Sequence, residues 1–263
     1  MDLQLNGKRA FISGSTQGIG LAIAQQLLKE GASVTINGRL TEKTNQAKEK
    51  LQKQFPNSDI SAISADFSKE KEVKKLLTQL TDIDILINNV GIFGVNDFQN
   101  ISDDDWYKYF DINVMSCVRL SRHLLPQMLN KKWGRIIFIS SESGVNVPEN
   151  MIHYGMTKSA MSAIANGLSK LTKGTEITVN TILGGPTYSD GVAKVIEQIA
   201  ENQNIEIDQM KNIIIQQSNS HILLQRFINP TEISNLVTYL SSPLSIATNG
   251  ASLRADSGVL KTI

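Results

Sequence analysis

The sequence predicts an α/β fold, a single doubly wound domain in which helices flank a parallel sheet on both faces. Short runs rich in Val and Ile alternate with segments of helical length along the 263 residues. Between the runs, apolar residues recur at helical spacing, as in Ile19, Ile23 and Leu27. No low-complexity linker divides the chain, and its length is ordinary for one α/β domain. We therefore expect residues 1–263 to form one domain.

The predicted strands are apolar enough to be buried on both faces, as a parallel sheet between two helical layers requires. Six of them precede the C-terminal region, at residues 10–13, 33–37, 60–64, 83–88, 135–140 and 175–182. One of the helices is expected to begin at Ser102, because a serine hydroxyl caps helices well. The three aspartates that follow Ser102 favour the positive end of that helix.

Composition and charge argue against several classes of partner. The 26 basic and 25 acidic residues give a formal net charge of +1, so neither a nucleic acid nor a membrane is expected as a partner. Residues 1–7 are polar and lack the apolar centre of a signal peptide. The single cysteine, Cys117, cannot form an internal disulfide, so a cytoplasmic location is expected. His123 and His221 have no neighbours at ligand spacing, so no metal site is expected.

A glycine-rich turn lies between the first predicted strand and the first predicted helix, with the sequence Ser13-Gly14-Ser15-Thr16-Gln17-Gly18-Ile19-Gly20. Small residues let the backbone approach a pyrophosphate, which meets free N–H groups and the positive end of the helix dipole. The spacing is G-x-x-x-G-x-G, not the common G-x-G-x-x-G. A turn without a ligand is the alternative, but the position between strand and helix favours nucleotide binding.

Tyr154 and Lys158 are four residues apart, which places them on one face of a helix. A phenol has a pKa near ~10 in water, and a nearby ammonium lowers this pKa by stabilising the anion. Ser140 and Ser141 come at the end of a predicted parallel strand, where the ligand crevice of such sheets opens. A hydroxyl there can hold a substrate oxygen against Tyr154. The alternative is an ordinary surface helix, since Tyr-x-x-x-Lys is common by chance.

Taken together, these motifs resemble those of the short-chain dehydrogenase/reductase family, over nearly the whole chain. The thirteen-residue step from Ser141 to Tyr154 is the family's spacing, and Asn113 falls in the long helix where the family places an asparagine. Residues 249–258 resemble the family's last strand and tail. Two further stretches are similar to family motifs but depart from them, Asn88-Asn89-Val90-Gly91 with Val for Ala, and Gly184-Gly185-Pro186-Thr187 with Gly for Pro.

The resemblance implies a Rossmann-type oxidoreductase that interconverts a carbonyl and a secondary alcohol of a small molecule. It implies that Tyr154 donates the proton and that Lys158 lowers the pKa of Tyr154 and holds the coenzyme ribose. It also implies that Ser141 orients the carbonyl and that Asn113 holds a water linking Lys158 to solvent. The expected coenzyme contacts are Gly14, Ser15, Thr16, Gln17, Gly18, Ile19, Gly20, Arg39, Asp66, Phe67, Asn89, Gly91, Tyr154, Lys158, Gly185 and Thr187.

The substrate stays open at this stage. A 3-oxoacyl-thioester reductase is one option, and a reductase or dehydrogenase of a smaller alcohol or ketone is another. A non-catalytic nucleotide-binding regulator or scaffold is the alternative from a different class, because a fold does not guarantee a function. The complete set of Asn113, Ser141, Tyr154 and Lys158 favours the enzyme.

The residues after the second strand predict a preference for NADP(H) over NAD(H). An NAD-selective protein carries an acidic residue there to bind the ribose hydroxyls. In this chain the position is Gly38, and Arg39 follows with a guanidinium that can pair with a 2′-phosphate. An exposed arginine without a role is the alternative. Asp66, after the third strand, is expected to contact the adenine.

The segment 187–225 is predicted to be a helical substrate lid inserted into the domain. It begins where the resemblance places nicotinamide contacts, and the pair Gly184-Gly185 before it is expected to act as a hinge. Its apolar residues favour an aliphatic or otherwise bulky substrate, although two helices simply packed on the domain are the alternative. These residues form two stripes, Val192, Val195, Ile196 and Ile199, and Ile207, Met210, Ile213 and Ile214.

The resemblance also predicts a homotetramer, with a dimer as the next choice. Apolar residues in the helices around 106–129 and 152–171 lie on more than one face, which is more than one core-facing stripe needs. The residues in question are Met115, Val118, Leu125, Met156, Met161 and Ile164. His153 is expected to have a structural or solvent role, and Cys117 is expected to be a core residue.

Overall fold

A computed structural model describes residues 1–261 and shows a seven-stranded parallel sheet with helices on both faces. The predicted fold class is confirmed, and the six predicted strands have ends no more than two residues from the prediction. The strands are β1 (Arg9–Ile12), β2 (Ser33–Gly38), β3 (Ile60–Ser64), β4 (Ile85–Asn88), β5 (Trp133–Ser141), β6 (Glu176–Gly184) and β7 (Ser252–Ala255).

The strand order across the sheet is β3-β2-β1-β4-β5-β6-β7. The chain runs outward from β1 to β3 and then returns to the other side of β1 to form β4. In open parallel sheets, a ligand crevice forms at the carboxyl ends of the strands beside this reversal. Ile12, near the end of β1, pairs with Ile36 of β2 and Ile87 of β4, so the turn after β1 lies directly over the reversal.

Nine α-helices are described within residues 1–261, and most of them alternate with the strands. The Ser102 hydroxyl accepts a hydrogen bond from the amide of Asp105 at 3.2 Å, which confirms the predicted helix start. The helices are α1 (Gly18–Lys29), α2 (Thr41–Gln54), α3 (Glu70–Gln79), α4 (Asp103–Tyr109), α5 (Ser116–Lys131), α6 (Ile152–Ser169), α7 (Asp190–Gln203), α8 (Ile207–Asn219) and α9 (Pro230–Ser241).

The hydrophobic core is divided by the sheet, because successive strand residues point to opposite faces. In β1, Ile12 packs on one face with Ile23 of α1 and Val237 of α9. Phe11 points to the other face, where it lies in a cluster with Leu120 of α5 and Met161 of α6. The strand ends are thereby fixed between two packed layers, and the loops that follow them are held in place. Within residues 1–261, no helix is long and apolar enough to cross a membrane.

The apolar stripes of α7 and α8 pack mainly against each other. Ile196 and Ala200 of α7 are buried with Met210 of α8, and Ile199 and Ile214 border this cluster. The inference from these stripes to an aliphatic or bulky substrate is therefore not supported, because their apolar surface is largely used within the helix pair. Packing between the two helices accounts for five of the eight stripe residues, whereas Val195 and Ile207 are exposed.

The glycine pair before α7 is explained by close packing and not by a hinge. A Cβ atom on Gly185 would lie 2.7 Å from backbone atoms of Asp256, and the Gly185 amide donates to the Ala255 carbonyl at 3.1 Å. Gly184 is the buried last residue of β6, and a Cβ there would lie 3.3 Å from Ile233. Neither glycine has a positive φ. The backbone is thus held to β7 where mobility was expected.

Candidate active site

The glycine-rich turn forms one wall of the crevice. Gly14 and Gly18 have φ values of +63° and +60°, a region that favours glycine, so the turn needs both residues. A Cβ on Gly20 would lie 2.5 Å from the Gly14 carbonyl oxygen, so this third glycine allows α1 to pack against the turn. Gly18 and Ile19, at the start of α1, line the crevice, and the amino end of a helix is a position that binds anions.

Polar side chains behind the turn hold its shape. The side-chain amide of Asn89 donates to the carbonyls of Ser13 and Gly14 at 3.0 and 2.8 Å. The backbone N–H of Asn89 donates to the Ser13 hydroxyl at 2.9 Å. Ser15 is fully buried, and its hydroxyl donates to the Ile12 carbonyl at 2.7 Å. Asn89 and Ser15 were both predicted to contact the coenzyme. Asn89 also lines the crevice, whereas the side chain of Ser15 is enclosed behind the turn.

At the far end of the crevice, Gly38 leaves no room for a side chain. A Cβ there would collide with the side chains of Thr16 and Thr44, and Thr44 is fully buried. Arg39 is exposed and lines the crevice beside Thr16 and Lys43. Within residues 1–261, no hydrogen bond or ion pair engages the Arg39 guanidinium. This end of the crevice therefore presents cationic side chains and excludes an acidic residue from position 38.

Asp66 lines the same end of the crevice as Arg39. Burial raises the pKa of Asp66, but hydrogen bonds from Ser68 and the charges of Arg39 and Lys69 outweigh it, so the pKa lies below its usual value. The Asp66 carboxylate is held by the Ser68 hydroxyl at 2.7 Å. Phe67 is buried in the core, which leaves only its backbone free to contact a ligand.

Tyr154 and Lys158 stand on one face of α6, next to the ends of β4 and β5. Lys158 is buried and donates to the Ile139 carbonyl at 2.9 Å, and burial lowers the pKa of its ammonium to about 8. The Lys158 Nζ lies 5.6 Å from the centre of the Tyr154 ring. A Cβ on Gly91 would lie 3.5 Å from this Nζ, so the absence of a side chain at Gly91 keeps the approach to Lys158 open.

The expected lowering of the pKa of Tyr154 is not seen in the structure. Burial raises the pKa of Tyr154 above its usual value, a hydrogen bond with Ser141 lowers it, and the nearby charge of Glu142 raises it further. The ring also packs edge-on against Phe93, with 6.5 Å between the ring centres. The phenol is therefore present in its protonated form, which is the form that a proton donor needs.

Ser141 is the last residue of β5, and its hydroxyl lies within a small hydrogen-bonded cluster. It donates to the Glu142 carboxylate at 2.5 Å and accepts from the Ser143 amide at 3.1 Å. The Ser143 hydroxyl donates to the other carboxylate oxygen at 3.1 Å. Burial raises the pKa of Glu142, against the lowering effect of the hydrogen bonds from both serines. A carboxyl group therefore lies within one hydrogen bond of the predicted substrate-orienting hydroxyl.

Asn113 is buried in a π-helical turn, Phe110–Met115, which interrupts the long helix predicted here and separates α4 from α5. Its side chain accepts from the Ile92 amide at 2.7 Å and donates to the Ile92 carbonyl at 2.9 Å. It also donates to the Thr157 hydroxyl at 3.0 Å, which ties it to α6 beside Lys158. Turns of this type often occur at functional sites, because they reorient one side chain within a helix.

Two acidic residues at the site were missed from the sequence. One is Glu142, described above, and the other is Asp190, the exposed first residue of α7. The Asp190 carboxylate accepts from the Gly18 amide at 2.5 Å, so it lies at the amino end of α1. The neighbouring Ser189 also lines the crevice. Thr187, which was predicted, is buried and donates to the Gly185 carbonyl at 2.8 Å.

The residues present fit a nicotinamide dinucleotide. A crevice of about 510 Å³ runs along the carboxyl edge of the sheet, from Arg39 past the glycine-rich turn to Gly91 and Phe93. It offers an anion-binding helix end at Gly18, a cationic end at Arg39, and an open approach to Lys158 at Gly91. A diphosphate would thus lie at the amino end of α1, an adenosine phosphate at Arg39 and a nicotinamide ribose near Lys158.

The remaining candidates have structural environments. His153 is buried against the ring of Tyr109, at 4.1 Å between ring centres, and burial lowers its pKa. Cys117 is a core residue, as predicted, and burial raises the pKa of its thiol to about 12. Among residues 1–261, no three His, Cys, Asp or Glu side chains cluster as a metal site would require.

Comparisons with known proteins agree with this geometry. The family model for short chain dehydrogenases matches residues 8–200. The oxidoreductase YvaG of Bacillus subtilis is 40% identical over 263 residues, with both chains fully covered. The D-beta-hydroxybutyrate dehydrogenase of Cupriavidus necator is 30% identical over 258 residues, which cover 97% of this chain and 98% of that protein. The crystal structure of L-sorbose reductase from Gluconobacter frateurii, complexed with NADPH and L-sorbose, superposes with a TM-score of 0.94 at 27% identity and full coverage of both chains.

The fold and the crevice define a dinucleotide-dependent oxidoreductase. The chain belongs to the short-chain dehydrogenase family. It is an NAD(P)-dependent enzyme that acts on carbonyl and alcohol groups.

Proposed function

We propose that this enzyme interconverts a ketone and a secondary alcohol with NADP(H), and that Tyr154 carries the proton. The observation that supports this most strongly is the convergence of Ser141, Tyr154, Lys158 and Asn113 at the carboxyl edge of the sheet. Lys158 is tied to β5 through the Ile139 carbonyl, and Asn113 is tied to α6 through Thr157. A scaffold that only binds a nucleotide has no physical need for this set.

In the proposed mechanism, a nicotinamide coenzyme held along the crevice between Arg39 and Gly91 would supply or accept the hydride at the reacting carbon. The Tyr154 hydroxyl donates its proton to the developing alkoxide, and the Ser141 hydroxyl holds the same oxygen. The buried ammonium of Lys158 stabilises the negative charge that then remains on Tyr154. Asn113 keeps the Ile92 backbone and α6 in register, and in the proposal it also holds a water that leads from Lys158 to solvent.

A substrate panel tests this proposal. Small keto acids, ketoses and a 3-oxoacyl thioester should be offered with NADPH, and the loss of nicotinamide absorbance followed. On the best substrate, Tyr154→Phe should reduce kcat by roughly a hundredfold or more, because the ring stays and the proton donor is lost. Coenzyme affinity should change little. Wild-type turnover in the Tyr154→Phe variant would instead favour the nucleotide-binding scaffold.

The preference for NADP(H) is supported by the adenosine end of the crevice. An acidic side chain cannot be accommodated at Gly38, and Arg39 and Lys43 both line the crevice there. The proposed contact is a paired hydrogen bond from the Arg39 guanidinium to the 2′-phosphate. NADPH should give the higher kcat/KM, and an equal or higher value with NADH would refute the preference.

We also propose that residues 187–225 form a lid whose position depends on the coenzyme. The supporting observation is that Ser189 and Gly191, at the start of α7, line the crevice, so a bound coenzyme can contact this segment directly. Hydrogen exchange across 187–225 should slow when NADPH is added. High protection that does not change with NADPH would rule out the lid.

A homotetramer is the proposed assembly, with a dimer as the next choice. Of the six apolar residues that suggested it, Leu125 and Met161 are buried in the core of the monomer, so they carry no weight for assembly. The argument is left to four partly exposed residues of α5, α6 and the turn before α5, which are Met115, Val118, Met156 and Ile164. A single species of 28.9 kDa in light scattering at low concentration would contradict the proposal.

A further inference from the structure

Glu142 is the acidic residue next to the serine that the proposed mechanism uses, and that mechanism leaves it without a role. Its carboxylate accepts from the Ser141 hydroxyl at 2.5 Å and from the Ser143 hydroxyl at 3.1 Å. In the structure Ser141 thus gives its hydroxyl proton to Glu142, so the protonation state of Glu142 bears on what Ser141 can do.

A serine hydroxyl has one proton to donate and two lone pairs that accept. One lone pair of Ser141 is taken by the Ser143 amide at 3.1 Å. When Glu142 is ionised it can only accept, and in the structure Ser141 gives it the hydroxyl proton, which is then not directed at a substrate oxygen. When Glu142 is protonated it can donate to the second lone pair of Ser141. The Ser141 proton is then free to point at the substrate or at Tyr154, whose pKa a hydrogen bond with Ser141 lowers.

We propose that Glu142 is a positioning residue that acts through Ser141: its protonated form turns the Ser141 hydroxyl toward the substrate oxygen, and its ionised form turns it away. The inference rests on the proposed function, in which Ser141 donates to the developing alkoxide. It adds that this donor is available only when a second group, one hydrogen bond away, carries a proton.

The surroundings of Glu142 agree with this role. Burial raises the pKa of Glu142, so the protonated form extends to higher pH than in an ordinary glutamate. Tyr154 and Lys158 face it from α6, and the negative charge of Glu142 acts to raise the pKa of both. An ionised Glu142 thus also opposes the tyrosinate that forms when Tyr154 gives up its proton. Both effects slow ketone reduction when Glu142 is ionised.

The test is the pH dependence of kcat for ketone reduction with saturating NADPH, in the wild type and in Glu142→Gln. The amide of the Gln side chain donates at every pH, so it imitates the protonated carboxyl. In the wild type, kcat should fall at least about tenfold as the pH rises through the pKa of Glu142. In Glu142→Gln that fall should disappear, with little change in KM. Glu149→Gln, an exposed residue of the following loop, is the matched control and should keep the wild-type profile.

A measurement without catalysis gives the second test. The carbon-13 carboxyl signal of Glu142, assigned by its loss in Glu142→Gln, reports the pKa of that group. The Ser141→Ala variant should shift this pKa upward, because a donor to the carboxylate is removed. An unchanged pKa in Ser141→Ala, or parallel pH profiles of kcat in the wild type and Glu142→Gln, would overturn the inference.

The two proposals fail differently. If Ser141→Ala keeps the wild-type kcat, the proposed use of Ser141 is wrong, whatever Glu142 does. If Ser141→Ala loses activity while Glu142→Gln keeps the full pH dependence, the mechanism stands and only the role of Glu142 is rejected.

Discussion

Replacing Asp190 should strengthen coenzyme binding, because its carboxylate lies at the helix end proposed for the diphosphate. In the structure the Gly18 amide donates to Asp190 at 2.5 Å. Gly18 is the first residue of α1, and the free N–H groups at such a position bind phosphate well. Asp190 and a bound diphosphate would thus compete for the same donor and repel each other.

The magnitude follows from Coulomb's law. Two unit charges roughly 5 Å apart repel by about 1 kcal/mol in bulk water and by about 3 kcal/mol at the effective dielectric constant of a protein surface. Asp190 is exposed and can move aside, so the smaller figure applies to each charge of the diphosphate. A total of about 1–2 kcal/mol corresponds to a dissociation constant roughly five to thirty times lower.

The assay is a titration of protein with NADPH, followed by calorimetry or by nicotinamide fluorescence. Asp190→Asn keeps an oxygen that can accept from Gly18 but removes the charge, and Asp190→Ala removes both. Asp208→Asn is the matched control, because Asp208 is an exposed acidic residue in the first turn of α8. The gain in affinity should shrink as salt is added, since screening weakens the repulsion.

An NADPH affinity that is unchanged or weaker in Asp190→Asn would refute this reasoning. It would mean that the carboxylate leaves the helix end at no cost, or that the diphosphate binds elsewhere. A gain in Asp190→Ala alone would point to competition for the hydrogen bond and not to charge.

Three further predictions concern other parts of the chain. Arg39→Ser should weaken NADPH binding by roughly tenfold or more and leave NADH binding unchanged, because only NADPH carries the phosphate that the guanidinium is to pair with; equal losses for both coenzymes would contradict this. The value of kcat/KM for ketone reduction should decline above about pH 8, because the Lys158 ammonium, whose burial lowers its pKa to about 8, loses its charge there; a profile that stays flat to pH 9 would exclude Lys158 as the charged partner. Gly185→Ala should lower the free energy of unfolding by about 1–3 kcal/mol, because the new Cβ would lie 2.7 Å from the Asp256 backbone. Gly167→Ala in α6 is the control, because a Cβ there meets nothing within 4 Å, and this variant should be neutral or stabilising in the same thermal melt.

The parts of the fold that could be predicted from the sequence are those set by local patterns. In β1, the neighbours Phe11 and Ile12 are both apolar because they face different core layers, so the strand appears as a continuous apolar run. The glycine-rich turn was recognisable because Gly14 and Gly18 adopt positive φ angles that other residues avoid. Such signals need no knowledge of distant residues.

The parts that could not be predicted depend on contacts between segments far apart in the chain. Gly185 was interpreted as a hinge because glycine is flexible, but the backbone of Asp256 presses against it. The stripes of α7 and α8 were interpreted as a substrate surface, but they bury each other. In both cases the residue type was informative and its partner was not visible, because periodicity shows which face is apolar and not what covers it.

The carboxylates of Asp190 and Glu142 were also missed because their hydrogen-bond partners are not visible in the sequence. Both bear on which donors of the site are available to a ligand. Asp190 accepts from the Gly18 amide, and Glu142 accepts from the Ser141 hydroxyl. In the proposed mechanism these two donors serve the coenzyme diphosphate and the developing alkoxide. Each donor is thus already engaged by an acidic group of the chain itself, so its position alone does not make it available. Asp190 can release Gly18 by moving, because it is exposed. Glu142 is held by the hydroxyls of Ser141 and Ser143, and in our proposal it releases Ser141 by taking up a proton. Coenzyme binding should therefore depend on salt and on the position of α7, and the chemical step on pH.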